Sequence, residues 1–199
     1  PKVSAELDGF RIVQISDLHN KNFGDRLIRK ISALEPDIIV ITGDLVDANR
    51  TNLSTAETFA AEAAKLAPTY FITGNHEVFL DNSDLSELTD SIRAAGVEIL
   101  DGSSVTVAQG ESSFTLTGLA DESLGYSVLT SMELDRAELN VVLAHEPQFI
   151  ADYAEGGADL VLTGHAHGGQ FRIPFTDIGL VAPDQGFFPK YTAGSHKLD

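Results

Sequence analysis

Ile38-Ile39-Val40-Ile41-Thr42-Gly43-Asp44 is the stretch that decides how this chain folds. Four apolar β-branched residues in a row, without an alternating polar partner, suit a strand buried on both faces, as in a parallel sheet covered by helices. Polarity returns only where the run ends. Gly43 lets the backbone turn sharply and Asp44 is presented just beyond it. The same order recurs outward in both directions. Residues 12–15 lead into Asp17-Leu18-His19, and residues 70–72 into Gly74-Asn75-His76-Glu77. Residues 141–144 lead into His145, and residues 160–162 into Gly164-His165-Ala166-His167. Five of the six histidines therefore follow short apolar runs. Crevices beyond strand carboxyl ends are where open α/β sheets bind ligands, so these polar groups are expected to converge.

Between the runs lie helical patterns. Residues 25–34 carry Leu27, Ile28, Ile31 and Leu34 at helical spacing. Residues 54–66 are alanine-rich and predict a helix capped by Ser54 with Glu57 three residues later, stopped by Pro68. Residues 83–95 predict a helix ending at Gly96. From Val97 the texture changes to short strands at 97–100, 104–108 and 113–117, punctuated by Gly102 and Gly110, which predicts a second, β-rich sheet. Helical patterns return at 132–138 and 147–155, and the tail from Phe171 reads as loop with short strands. Two sheets covered by helices, class α/β, is the expected architecture.

At 199 residues the chain is read as one domain, 1–199, with room for a sizeable core. It has no cysteine, which excludes disulfides and thiolate metal sites. A net charge of −17 argues against nucleic acid or anionic lipid as a general partner. A phosphate-bearing substrate stays compatible, because bound dications would dominate the field inside a cleft. No run is long enough to span a bilayer, and Pro1 in place of methionine leaves any tether to a segment outside this chain.

Asp17, His19, Asp44, Asn75, His145, His165 and His167 form a donor set of imidazole, carboxylate and amide oxygen. Such a set suits manganese, iron, zinc, cobalt or nickel better than magnesium or calcium. Seven donors exceed one tetrahedral ion but suit two ions sharing Asp44, one through each carboxylate oxygen. Paired ions about 3.5–4 Å apart recur in phosphatases and nucleases. Each motif alone is weak, since Asp17 or Asp44 could be a turn carboxylate and His145 an ordinary hydrogen-bonded histidine. Their shared position after strands is what gives them weight.

In this order the five blocks resemble the calcineurin-like metallophosphoesterase superfamily, and the resemblance runs from Asp17 to His167. Ile15-Ser-Asp-Leu-His-Asn20 and Gly164-His-Ala-His-Gly-Gly-Gln170 resemble a bacterial subgroup that often carries an N-terminal membrane or export segment. The resemblance implies a four-layer α/β/β/α sandwich of the metallo-dependent phosphatase type. It implies two divalent or trivalent transition-metal ions, manganese foremost. Asp17, His19, Asp44 and His167 would hold one, and Asp44, Asn75, His145 and His165 the other. His76 would stand at the leaving group, and Asp47 matches the carboxylate that pairs with that histidine in calcineurin-type protein phosphatases. Those enzymes follow the aspartate with a phosphate-gripping arginine, where this chain has Ala48. The departure turns the expectation from phosphoproteins toward phosphodiesters or small phosphate esters.

The implied reaction is hydrolysis in which a hydroxide shared by the ions attacks phosphorus in line and His76 assists the departing oxygen. Two other readings compete. A non-catalytic metal-binding scaffold of the same fold is countered by the intact ligand set. A nuclease would need a basic track, and the 13 Lys and Arg are scattered among 30 acids. Phe171, Phe175, Phe187 and Phe188 are expected to pack the tail against the core, with an apolar rim for a lipid-linked substrate as the alternative.

Overall fold

The computed structural model describes residues 2–121, 134–173, 176 and 178–198. The opening stretch becomes β2 (Ile38–Thr42), buried along its whole length. It lies between β1 (Ile12–Ile15) and β3 (Thr69–Ile72), with β4 (Glu98–Ile99) beyond, and all four strands are parallel. The connections are helical: α1 (Asp25–Ala33), α2 (Leu53–Ala64), the single turn α3 (Asn75–Val78) and α4 (Asn82–Ala94).

Side chains alternate across a strand, so each strand of the first sheet feeds two cores. Ile39, Ile41 and Phe71 pack with Ile31, Phe59, Ala60, Leu88 and Ile92 of the helices. Ile38, Val40, Tyr70 and Ile72 face the other way, against Val107, Phe114, Leu116, Val141 and Leu143 of a second sheet. That sheet has the order β5 (Ser104–Gln109), β6 (Ser112–Gly118), β7 (Asn140–Leu143), β8 (Leu160–Leu162). The first pair is antiparallel and the others parallel. Its outer side carries Val142 and Ala144 beneath Leu119 and Tyr153 of α5 (Ile150–Glu155). Helices, sheet, sheet, helix: this is the four-layer α/β/β/α sandwich. Full burial of an aliphatic side chain stabilises by about 1.5–3 kcal/mol, so the inter-sheet cluster is a major contributor to stability.

Three local expectations are corrected. The helix after β2 starts at Leu53, one residue before Ser54, so Ser54 cannot cap it; its hydroxyl bonds Asn52 Oδ1 at 3.0 Å. Residues 134–138 form a turn, not a helix, because Asp135 accepts from the Ala137 N–H at 2.8 Å and its carbonyl from the Glu138 N–H at 3.1 Å. Local carboxylate-to-backbone bonds of this kind compete with helix formation; Met132 and Glu133 lie outside the described residues. Residues 147–149 form a 3-10 turn that precedes α5.

The tail forms a small antiparallel sheet, β9 (Phe171–Arg172), β10 (Gly179–Ala182) and β11 (Gly186–Phe187). The phenylalanines described there do not pack into the core. Phe171, Phe187 and Phe188 are 66%, 82% and 69% exposed. Phe171 and Phe187 both pair with Val181, so the three form a row on one face of this outlying sheet. Phe175 lies outside the described residues.

Candidate metal centre

Each of the seven donors sits just past the carboxyl end of a strand: Asp17 and His19 after β1, Asp44 after β2, Asn75 after β3, His145 after β7, His165 and His167 after β8. The backbone there is unusual. Asp17, His19, Asp44, His165 and His167 all have positive φ, five of the nine non-glycine residues that do among those described. A left-handed non-glycine residue costs on the order of 1 kcal/mol, and such outliers concentrate at functional sites. Bonds between loops hold the conformation. Asp17 N–H donates to Gly43 O at 3.1 Å and His19 N–H to Asp44 O at 3.0 Å. Gly43 itself lies at φ 87°, and a Cβ there would fall 2.6 Å from both Gly74 Cα and His145 Nδ1. No larger residue lets the loops after β2, β3 and β7 approach so closely.

Two groups of donors emerge. Asp17, His19, Asp44 and His167 present ligand atoms within 4.8 Å of one another, as do Asp44, His145 and His165. In the first, His19 Nε2 is 3.2 Å from His167 Nε2 and 3.5 Å from Asp44 Oδ2, while His167 Nε2 is 3.7 Å from Asp17 Oδ1. Donors held about 2.0–2.2 Å from one ion lie roughly 3–3.5 Å apart, so this spacing fits a shared cation. Burial, against the opposing charge of Asp44 and Asp17 and with the help of His76 and His167, holds His19 below its ordinary pKa, which favours the neutral form that coordinates a metal.

In the second group the protons can be placed. His145 Nδ1 lies 2.7 Å from the Thr42 carbonyl, and His165 Nε2 lies 2.7 Å from Asp184 Oδ2. Both partners only accept, so both nitrogens carry the hydrogen and the opposite ring nitrogens are the ones turned toward the site. Those nitrogens, His145 Nε2 and His165 Nδ1, lie 3.1 and 2.9 Å from Asn75 Oδ1. Three potential ligand atoms therefore converge on one space, where a cation would take the place of the His145 Nε2 hydrogen. Burial pulls the His145 pKa down, but Asp44 Oδ2 at 3.3 Å and the Thr42 carbonyl outweigh it and lift the value to about 9.

Asp44 belongs to both groups. Oδ1 accepts the His76 backbone N–H at 2.9 Å, and Oδ2 lies 3.5 Å from His19 Nε2 and 3.3 Å from His145 Nε2, within reach of both groups. Burial opposes its charge, yet His145 and the His76 N–H hold its pKa below the ordinary carboxylate value.

His76 stands beside the first group, its ring centroid 4.5 Å from that of His19. The Ala48 N–H donates to its Nδ1 at 3.1 Å, which leaves the proton on Nε2. Asp47 Oδ1 is 3.8 Å from Nδ1, beyond hydrogen-bond reach, and accepts from Asn49 N–H at 2.8 Å instead.

Sequence reasoning assigned no role to two residues here. Glu77 is fully buried and accepts from the N–H groups of Asp44 and Gly74, each at 2.8 Å, and of Val46 at 3.1 Å. One carboxylate thus fastens the Asp44 loop to the Asn75 loop. Burial and the nearby Asp44 charge push its pKa up to about 7 against those three donors. Its only signal was its place in Gly74-Asn75-His76-Glu77. Asp184, in the turn between β10 and β11, groups with Glu146 and His165. A lone aspartate in a loop-like tail gives no sequence signal at all.

A family model described as calcineurin-like phosphoesterase matches residues 10–169. An uncharacterized metallophosphoesterase of Campylobacter jejuni is 31% identical over 190 residues, covering 89% of this chain and 48% of that protein. Phosphodiesterase YaeI of Escherichia coli is 30% identical over 172 residues, covering 83% and 63%. A transmembrane protein with metallophosphoesterase domain from Bos taurus is 28% identical over 191 residues, covering 85% and 43%. The chain thus spans about half the length of the first and last of these. Among solved structures, TT1561 of Thermus thermophilus shares the fold, with a TM-score of 0.52 over 76% of this chain and 80% of that one, at 10% identity.

Proposed function

The chain belongs to the calcineurin-like phosphoesterase family, and from that premise we propose that it hydrolyses a phosphodiester or small phosphate ester using two transition-metal ions. The observation that carries the reading is the convergence of metal-ligating atoms: His145 Nε2, His165 Nδ1 and Asn75 Oδ1 on one side, and the His19–His167 pair on the other, joined at Asp44 Oδ2. Asp17, His19, Asp44 and His167 would hold one ion and Asp44, Asn75, His145 and His165 the second; the donor set suits manganese, iron, zinc, cobalt or nickel, and the family resemblance puts manganese foremost. When bound, such a pair neutralises charge on the phosphoryl oxygens and lowers the pKa of a bound water from about 16 toward 7.

The chain's own residues supply the rest. His76 carries its proton on Nε2, held there by the Ala48 N–H, and gives it to the departing oxygen as the bond from phosphorus breaks. Glu77 keeps the Asp44 and Asn75 loops at fixed separation, so the donors need little reorganisation. The relative named a phosphodiesterase and Ala48 in place of a phosphate-gripping arginine both favour a diester over a phosphoprotein. The open row of Phe171 and Phe187 favours a substrate with an apolar portion, lipid-linked esters included. No helix among the described residues is long and apolar enough to cross a membrane.

The deciding experiment measures metal content by elemental analysis and turnover with manganese on matched monoesters, diesters and pyrophosphates, each in short-chain and long-chain form. Two equivalents of metal with diester turnover is the expected result. A protein that holds two ions yet is silent across the whole set would be a scaffold of the same fold.

A further inference from the structure

The two imidazoles of the second group are held from behind in different ways. His145 gives its Nδ1 hydrogen to a backbone carbonyl fixed within β2, whereas His165 meets a carboxylate from a separate sheet. That carboxylate stands on a strained backbone and half in solvent. Asp184 lies at φ 54° and its side chain is 62% exposed, yet Oδ2 reaches His165 Nε2 at 2.7 Å.

The turn that carries it is braced on both sides. Gln185 donates from Nε2 to Tyr191 O at 2.8 Å and accepts from Tyr191 N–H at 2.9 Å, locking the segment beyond the turn. Upstream, the Gln170 N–H bonds Val181 O at 2.8 Å, joining β10 directly to the end of the His165–His167 loop. Gly169 and Gly179 meet backbone to backbone there: a Cβ on Gly169 would lie 2.8 Å from Gly179 Cα. The small tail sheet is thus fastened to the loop it would serve, with Asp184 at its near turn.

We infer that Asp184 is a positioning residue for the second ion: it takes the Nε2 hydrogen of His165 and thereby aims the Nδ1 lone pair at the space shared with Asn75 and His145. A ligating histidine whose far nitrogen donates to a carboxylate is fixed in tautomer and orientation and made more basic, and losing such a partner costs roughly 10- to 100-fold in metal affinity. The inference rests on the two-ion reading above and adds to it a residue outside the matched family segment, which ends at residue 169.

The test titrates the full chain with manganese, following free ion by electron paramagnetic resonance, for wild type, Asp184→Ala and Asp184→Asn. Asp184→Ala should weaken one of two sites roughly 10- to 100-fold and leave the other unchanged. Asp184→Asn keeps an acceptor oxygen and should recover part of that loss. Nitrogen-15 spectra of the histidine side chains before metal addition give a second readout: wild-type His165 should carry its hydrogen on Nε2, and Asp184→Ala should show a tautomer mixture.

Equal affinities in wild type and Asp184→Ala would overturn the inference and leave the two-ion reading intact. So would a parallel loss at both sites with a lowered melting temperature, the mark of a purely structural role. Three equivalents in wild type would overturn it as well, assigning Glu146, His165 and Asp184 an ion of their own. A single equivalent in wild type would instead sink the two-ion reading itself.

Discussion

His76 and Asp47 stand side by side without a hydrogen bond between them. Because the Ala48 N–H occupies His76 Nδ1 and Asp47 stands 3.8 Å away, the histidine's proton position owes nothing to the carboxylate. His76→Ala should therefore lower turnover roughly 10²- to 10⁴-fold on a poor leaving group with metal content unchanged, while Asp47→Asn should cost less than about tenfold, since a half-buried carboxylate without a hydrogen bond to the imidazole contributes about 1 kcal/mol at most. Steady-state rates on aryl esters of graded leaving-group pKa check both; an Asp47→Asn defect as deep as that of His76→Ala would show that the pair forms with substrate bound. Glu77 makes a separate prediction. Its folded pKa of about 7 stands above the ordinary 4.5, so the stability linked to it is complete below pH 4.5 and is lost as pH rises through 7. The shift corresponds to about 3 kcal/mol for a fully buried group. Metal-free protein should melt lower at pH 8 than at pH 5.5, and Glu77→Gln should flatten that slope while losing part of the loop bracing. A wild-type melting temperature rising over the same interval would contradict this.

Loops that approach backbone to backbone make glycine the controlling residue at the level of elements. Gly43 joins β2 to Asp44 at φ 87°, with Gly74 Cα and His145 Nδ1 in the place its side chain would occupy. Gly43→Ala must push apart the loops after β3 and β7, and should weaken the second ion far more than the first, because Asn75 and His145 both lie on the displaced side. Separate manganese affinities for the variant measure this, and equal weakening of both sites would place the strain elsewhere. The same elements show how much was legible beforehand. β2 could be read because continuous burial leaves a continuous apolar run, and the ligand positions because polar residues follow each run at once. Ser54 was misread because Ser-x-x-Glu occurs inside α2 as readily as before it, and nothing local fixes where a helix of alanines begins. Residues 134–138 have helix-favouring composition, but Asp135 offers its carboxylate and carbonyl to the backbone just ahead. Asp184 was silent because its partner is 19 residues away and its turn owes its shape to Tyr191.

Across the whole molecule, the donors divide between the two sheets. Asp17, His19, Asp44 and Asn75 extend from the first, and His145, His165 and His167 from the second. At the strand carboxyl ends the sheets are joined by direct bonds such as Gln14 Nε2 to Thr163 O at 2.7 Å and His145 Nδ1 to Thr42 O, while behind them lies the shared apolar core. Either ion would draw on donors from both sheets, so metal binding and inter-sheet packing act on one boundary. Leu143→Ala removes a fully buried side chain from that boundary two residues before His145, and should cost about 2–5 kcal/mol. Manganese should offset part of it: an ion at a hundred times its dissociation constant stabilises the folded state by about 2.7 kcal/mol per site, provided the unfolded chain does not bind it. The melting temperature of the wild type should accordingly rise on addition of manganese and fall back with chelator. Asp44→Asn is the sharpest control, because Oδ2 is the atom at which both groups meet. Its melting temperature should be nearly indifferent to manganese; a full metal-dependent rise in that variant would mean that the two sheets are not clamped through Asp44 at all.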